Sequence, residues 1–549
     1  MTTGATIAKG SFWILSSAIM TKLISFIYTI IIARLLLPDE IGSFYLALSI
    51  IGILYIFTDL GLIYSLSRYV PYLYGREEFG KLRKLVKLCY LGGGALTFIF
   101  SVIVFLLSGF MAQMVGQPAV APLLQILSVW LLVKEMDEVS RGILNGRKRM
   151  RETQGLDVVQ NFVKLVLTVI AFYVLGFNAA ALSAGFLLSF MVIVPPGAYF
   201  AWQEIKTWKK DEIRQTTAEQ ISLGKEVVTF GLVVTLIASL WTVIQYTDRI
   251  MLGYLAEDAL NKIAVYSIAL GLANLILIFP SGISGIFFPV VSELFGKNDI
   301  NEMNRILKTS MKWTAILMVP LALIMGVFAD SLLMLFYGET YGQGAIVLVL
   351  FIAGLFIRSL FYLPQLILSA MRRLDVELKA AGAAAVANVI LNFLLIPMLG
   401  IDGAALASML SFAIVSAMIF YYSTRIFAFT FPKETYKPLL GGMAALAVIL
   451  FMKEHIIILM NNYVSFIQIG ASAGQISDEI MQQLVKLAIF GLLFLFSVLV
   501  YLIALLLLKS FGEEEITLLE AGLRRARVPE KYVSWSRIFL EAKWLRLQR

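Results

Sequence analysis

Cysteine and histidine are almost missing from this chain, which in 549 residues has one of each, Cys89 and His455. One cysteine excludes an internal disulfide, and one histidine with one thiol cannot assemble a zinc cluster, so no metal or redox cofactor is expected. A phosphate-binding loop is missing too: Ser222-Leu-Gly-Lys-Glu226 lacks both the Gly-x4-Gly-Lys spacing and the hydroxyl, which excludes ATP as the direct energy source. Charge is scarce, at 15% of residues against about 25% in soluble domains. No insertion is long enough to fold as a soluble domain. That counts against a membrane glycosyltransferase or polymerase, which would need a large outer loop with paired acids or an Asp-x-Asp motif.

What the chain has in abundance is apolar sequence, 60% of residues. Runs of about 20 apolar residues, each able to cross roughly 30 Å of hydrocarbon as a helix, recur with short polar interruptions. The expected spans are 10–37, 41–67, 86–110, 121–144, 155–176, 178–201, 226–254, 263–290, 313–335, 344–370, 380–399, 402–424, 438–460 and 483–508, fourteen in all. The first apolar run is too long for a signal-peptide core and is read as a helix. Every second loop is basic, as at Arg147/Lys148/Arg149/Arg151 and Arg372/Arg373/Lys379, while loops around Asp39-Glu40 and Glu257-Asp258 are not. The positive-inside rule then puts both termini in the cytoplasm of a multi-pass protein of the cell membrane. The net charge of +9 lies in those inner loops, where topology and anionic lipid headgroups account for it and nucleic acid is not needed. Residues 511–549 alternate Leu and Trp with Arg and Glu and read as an amphipathic tail on the inner membrane surface.

An internal repeat organises the spans. Ile143-Leu-Asn-Gly-Arg-Lys-Arg-Met150 matches Ile367-Leu-Ser-Ala-Met-Arg-Arg-Leu374, and the same offset of 224 carries Gly176-Phe-Asn-Ala-Ala-Ala-Leu182 onto Gly400-Ile-Asp-Gly-Ala-Ala-Leu406. Earlier in each half an offset of 221 aligns Tyr72-Leu-Tyr-Gly-Arg76 with Glu293-Leu-Phe-Gly-Lys297 and Tyr45 with Tyr266. The expected architecture is all-α: two six-helix lobes in parallel orientation, 1–215 and 216–430, around a central cavity, then an extra helix pair at 431–510 and the tail at 511–549. Substrate is expected between the lobes.

Charges inside such spans mark function, because each costs roughly 2.5 to 3.5 kcal/mol at the bilayer centre unless paired or wet. The fourth span carries Lys134-Glu-Met-Asp-Glu-Val-Ser-Arg141, and the repeat places Lys134 on Arg358 of the tenth. Two facing cations suggest an anion site. Pairing along one helix is the competing account, since Glu138 follows Lys134 by four residues and Arg141 follows Asp137 by four. Lys22 and Asp59 lie in the first two spans, and the fifth sets Asp157, Gln160, Asn161 and Lys164 on one helical face. The seventh span adds Asp248 and Arg249, and the eleventh Asn388 and Asn392.

Ala33-Arg-Leu-Leu-Leu-Pro-Asp-Glu-Ile-Gly-Ser-Phe-Tyr45, followed by Thr58-Asp-Leu-Gly-Leu62, resembles the opening of the polysaccharide transport family. That family includes O-antigen flippases and belongs to the multidrug/oligosaccharidyl-lipid/polysaccharide exporter superfamily. Tyr246-Thr-Asp-Arg-Ile-Met-Leu-Gly253 and Gly400-Ile-Asp-Gly-Ala-Ala-Leu406 are similar to its seventh span and the start of its twelfth. The resemblance implies alternating access and transfer of a polyprenyl or dolichyl pyrophosphate-linked oligosaccharide across the cytoplasmic membrane, supplied by glycan-assembly enzymes. The last two helices resemble the extra pair of fourteen-span lipid II flippases, where they help form a groove for the lipid tail. On this reading Lys22, Lys134, Arg358, Lys164, Arg249, Asn388 and Asn392 contact substrate. Asp59, Glu135, Asp137, Glu138 and Asp248 either keep the cavity near neutral or take H+ or Na+ in exchange. The alternative is a cation-coupled multidrug or small-solute antiporter of the same superfamily, against which the basic Lys134 and Arg358 count.

Overall fold

The computed structural model describes residues 3–58, 61–208, 217–470, 475–508 and 510; the amphipathic tail and Asp59 lie outside them. The described residues are helical almost throughout. The first half contains α1 (Thr3–Leu35), α2 (Pro38–Tyr55), α3 (Leu62–Gly75), α4 (Phe79–Leu88), α5 (Gly94–Met114), α6 (Ala121–Gly146), α7 (Met150–Leu175) and α8 (Ala179–Lys206). The second contains α9 (Thr217–Leu255), α10 (Ala259–Ala273), α11 (Ile278–Gly296), α12 (Ile300–Val327), α13 (Ala329–Tyr337), α14 (Ala345–Ala370), α15 (Leu374–Leu399) and α16 (Ile401–Phe427). Two further helices, α17 (Lys433–Gly470) and α18 (Gln475–Leu507), follow.

Eleven helices among the described residues are long and apolar enough to cross a bilayer. A helix occupies each of the fourteen expected places, but not every place holds one unbroken helix; 313–335, for instance, is divided between α12 and α13. The expected helix over 41–67 is broken into α2 and α3. Gly61 takes a left-handed φ of +66° there, and a Cβ on it would lie 2.6 Å from the Gly231 carbonyl oxygen, so only glycine fits both the turn and the contact. The places at 226–254 and 483–508 fall on the continuous helices α9 and α18.

The repeat is visible in the backbone. α6 and α14 have the same length and boundaries offset by 224, as do α7 and α15. The loops between them turn through the same left-handed residue, Lys148 (φ 58°) in one half and Arg372 (φ 60°) in the other. Gly176 and Gly400, again 224 apart, both have positive φ where α7 and α15 end, and Glu77 and Asn298 repeat the pattern at 221. These are helix stops set by local chemistry: a left-handed residue closes the last turn and a capping group opens the next helix. Asn178 caps α8 by accepting from Ala181 N at 2.9 Å, and Glu40 of α2 accepts from Ala179 N at 2.6 Å.

The chain divides into two compact units. Residues 1–303 with 329–429 form the first, and residues 304–328 with 430–549 the second. In the first, the equivalent helices α2 and α10 pack directly on each other. Gly42 makes this possible, because a Cβ there would collide with the Leu260 carbonyl. Gly142 and Gly146 of α6 sit one turn apart against Leu66 and Val70 of α3, the small-residue spacing that lets membrane helices approach closely. Arg34, at the end of α1, donates to the terminal carbonyls of α13, to Phe336 O at 3.0 Å and Leu335 O at 2.5 Å, and so ties the first half to the second. In the second unit α17 packs on α18, and Gly442 lies against Val319. Large apolar side chains such as Phe98, Leu106 and Phe110 on α5 and Phe393 and Met398 on α15 stay exposed, the surface a bilayer would cover.

Candidate transport site

The charges of α6 are drawn into a polar pocket of about 320 Å³ together with α7, with Ile63 of α3 and Phe190 of α8 on its wall. Lys134 is ion-paired with Glu138, as their spacing predicts. Arg141 carries two carboxylates, with Nε 2.6 Å from Asp137 Oδ2 and Nη1 2.6 Å from Asp157 Oδ1, and Nη1 also donates to the Thr153 carbonyl at 3.3 Å. Asp137 and Arg141 are 2% and 9% exposed, so each depends on the other for its charge to remain in the bundle. Asn145, Gln154 and Gln160 complete the polar lining. Glu135 is not part of it: it is buried and accepts from Tyr55 Oη at 3.3 Å.

Lys164 lies farther along α7. Its ammonium donates to Asn161 Oδ1 at 3.1 Å and lies 4.6 Å from the centre of the Tyr28 ring on α1. Ser25 donates to the same Asn161 oxygen at 3.1 Å and Ser17 to Gln154 Oε1 at 2.8 Å, so the polar stripe read from α7 is answered by hydroxyls of α1. Lys22 is on that helix, partly buried.

The second half builds a different cluster. Asp248, 2% exposed, accepts hydrogen bonds from Asn388 Nδ2 at 3.1 Å, Asn392 Nδ2 at 2.6 Å, Ser408 Oγ at 2.5 Å and the Tyr266 hydroxyl. One carboxylate thereby joins α9, α10, α15 and α16. Asn388 and Asn392 are fully enclosed and turn their amide nitrogens to Asp248. Arg249 points the other way: Nε donates to Ser267 Oγ at 2.8 Å, and its guanidinium lies 5.3 Å from the Tyr45 ring centre.

Arg358 has no acid on its own helix. It donates to Gln365, whose Nε2 in turn donates to Glu377 Oε1 at 2.5 Å, and the guanidinium lies 4.8 Å from the Trp241 ring centre and 5.3 Å from that of Tyr362. Its Nη1 is buried without a hydrogen bond among the described residues. The sequence reading left out Gln365 and Glu377. Gln365 was findable, being seven residues from Arg358 on one helical face, whereas Glu377 enters from the next helix. Lys134, Asp137 and Glu138 therefore share one pocket, while Arg358, Asp248 with its asparagines, and Lys164 occupy separate networks.

A duplicated all-α bundle with paired charges buried among lipid-length helices defines a multi-pass membrane transporter. The comparisons with known proteins place it further. A family model described as "Polysaccharide biosynthesis protein" matches residues 7–295, and the MatE model matches residues 234–398. The chain belongs to the polysaccharide biosynthesis protein family. It is 23% identical over 435 residues to stage V sporulation protein B of Bacillus subtilis, covering 75% of this chain and 82% of that protein. It is 22% identical over 395 residues to the probable low-salt glycan biosynthesis flippase Agl15 of Haloferax volcanii, covering 71% and 78%. The fold is similar to that of the lipid II flippase MurJ in an inward closed conformation, with a TM-score of 0.64 at 14% identity over 87% of this chain and 96% of that one. It is also similar to an inward-facing multidrug resistance MATE transporter, with a TM-score of 0.57 at 16% identity over 76% and 98%.

Proposed function

We propose that the protein is a flippase that carries a polyprenyl or dolichyl pyrophosphate-linked oligosaccharide from the inner to the outer leaflet of the cytoplasmic membrane, for cell-surface glycan synthesis. The observation that carries this reading is the set of cations held inside an apolar bundle: Lys134 in a polar pocket, Lys164 over Tyr28, and Arg358 with an open Nη1. A lipid-linked glycan presents an anionic pyrophosphate and a sugar that cannot cross hydrocarbon, while its tail can remain in the bilayer. Cations in a low-dielectric interior bind the phosphate, and flanking acids keep the interior from excess positive charge.

On this reading residues 1–215 and 216–430 are the two lobes that rock against each other, with fourteen spans and both termini cytoplasmic. The protein acts as a transporter and not as an enzyme. Lys22, Lys134, Lys164, Arg249 and Arg358 serve the pyrophosphate, and Asp248, with Asn388 and Asn392 around it, exchanges H+ or Na+ as the lobes move. Glycan-assembly enzymes supply the substrate.

The test is exposure of a polyprenyl-pyrophosphate oligosaccharide to a glycosidase added outside proteoliposomes, comparing wild type, the Lys134→Ala/Arg358→Ala double variant and empty vesicles. Faster loss of inner-leaflet sugar with wild type alone supports flipping and the cationic contacts together. No acceleration over empty vesicles, with an imposed ion gradient, moves the reading to cation-coupled small-solute antiport.

A further inference from the structure

The pocket between α6 and α7 has more hydrogen-bonding capacity than its own ion pairs use. Asp137 places Oδ2 on Arg141, but its Oδ1 is buried with no donor among the described residues. Asp157 gives Oδ1 to Arg141 and keeps 39% of its side chain open. Two cations, Lys134 and Arg141, face three carboxylates, Asp137, Glu138 and Asp157, so the wall carries one net negative charge and is rich in acceptors. Such a wall complements a ligand that brings O–H or N–H donors. A metal ion is a poor match, because the Arg141 guanidinium already lies 2.6 Å from both Asp137 and Asp157. An anionic group is worse at the Arg141–Asn145 end, where it would enter beside Asp137 and Asp157 in a medium of low dielectric; the pyrophosphate is left to Lys134, about three turns from Asn145 along α6.

The fold does not require this chemistry. At the offset of 224, Asp137, Glu138, Asp157 and Gln160 correspond to Phe361, Tyr362, Ala381 and Ala384, so the equivalent helix pair of the second half packs without it. The acids are a departure of one copy from the other. The volume, about 320 Å³, is at the small end of ligand pockets, which run from roughly 300 to 1,000 Å³. That suits a sugar ring with water, and Phe190 adds an aromatic side chain to the wall.

We infer that this pocket is a sugar subsite, which takes one residue of the lipid-linked glycan and selects a neutral or amino sugar over a uronic acid. The inference rests on the flippase reading. The open oxygen of Asp157 accepts from sugar hydroxyls or an amine, the amide of Asn145 adds a donor and an acceptor, and Asp137, its Oδ1 buried without a donor among the described residues, keeps the wall acidic.

The experiment measures ligand-induced thermal stabilisation of the purified full-length protein in detergent. Three probes are titrated: undecaprenyl pyrophosphate, the same lipid bearing N-acetylglucosamine, and the same lipid bearing glucuronic acid. The wild type is expected to bind the N-acetylglucosamine lipid about tenfold more tightly than the glucuronic acid lipid. Asp157→Asn should narrow that gap by admitting the acidic sugar. Asn145→Ala, which removes no described side-chain hydrogen bond, should weaken the N-acetylglucosamine lipid towards the bare lipid, and it serves if Asp157→Asn fails to fold. Equal affinity for the two sugars, or bare lipid bound as tightly as either, overturns the subsite while leaving lipid binding standing. Binding of none of the three overturns the flippase reading, and the subsite with it.

Discussion

Replacing Asp248 by alanine removes one acceptor from four donors on three other helices, Tyr266 of α10, Asn388 and Asn392 of α15 and Ser408 of α16. Side-chain hydrogen bonds between membrane helices average about 0.6 kcal/mol each, because the alternative state also finds partners. Four of them amount to about 2 to 3 kcal/mol. Asn392 softens the loss by retaining Asn388 Oδ1 at 3.2 Å, and the hydroxyls can turn to backbone carbonyls, so the lower figure is expected. The chain supplies its own reporter: Cys89 is its single cysteine and is 1% exposed, so a thiol-reactive fluorogenic dye responds only when the fold opens. Asp248→Ala should lower the dye-detected melting temperature by about 2 °C. Asp248→Asn, which keeps one acceptor oxygen, should fall between it and wild type. A melting curve for Asp248→Ala that superposes on the wild type would refute the view that this carboxylate holds the four helices together.

Other substitutions test the remaining networks. Lys134→Ala and Arg358→Ala should each slow flipping in the glycosidase assay while leaving membrane insertion intact, and full activity in the double variant would remove both from the anion site. Arg141→Ala leaves Asp137 and Asp157 without their cation, a loss of about 3 to 5 kcal/mol when one partner of a buried pair is removed. It should sharply reduce the yield of monodisperse protein on size-exclusion chromatography, and adding Asp137→Asn should restore part of that yield. Gly42→Val drives a side chain into the Leu260 carbonyl and should cost about 1 to 3 kcal/mol, read in the same dye assay; an unchanged melting temperature would mean that α2 and α10 pack less closely than described here.

Much of this was legible in the chain because it is written in local chemistry. The repeat could be read from Gly176 and Gly400, and from Arg-rich turns whose central residues Lys148 and Arg372 share one backbone conformation. The pairing of Lys134 with Glu138 and of Asp137 with Arg141 follows from four-residue spacing on one helix. What escaped needed tertiary contact. The break at Gly61 falls just after Thr58-Asp59 in a stretch read as one span, and the close approach of the Gly231 carbonyl on α9 that keeps it glycine is not visible locally. Asp157 finds Arg141 from another helix, and Glu377 reaches Arg358 only through Gln365. Asn388 and Asn392 looked like substrate contacts because they share a face, but nothing local reveals that the face is closed over Asp248.

The contact between α2 and α10 bears on how such a chain could arise. Helices equivalent by duplication that pack on each other are what remains when a two-fold homodimer becomes one polypeptide, since an isologous interface brings the same element of both subunits to the axis. In a homodimer of identical halves any new charge appears twice, facing its own copy. Joining the halves in one chain removes that constraint. Gly42 could stay small while its counterpart became Ile263, and one half could acquire acids at positions where the other kept Phe361 and Ala381. Asymmetry of this kind lets the two halves carry different chemistry, acidic and polar in one where the other is apolar, without disturbing the packing they share.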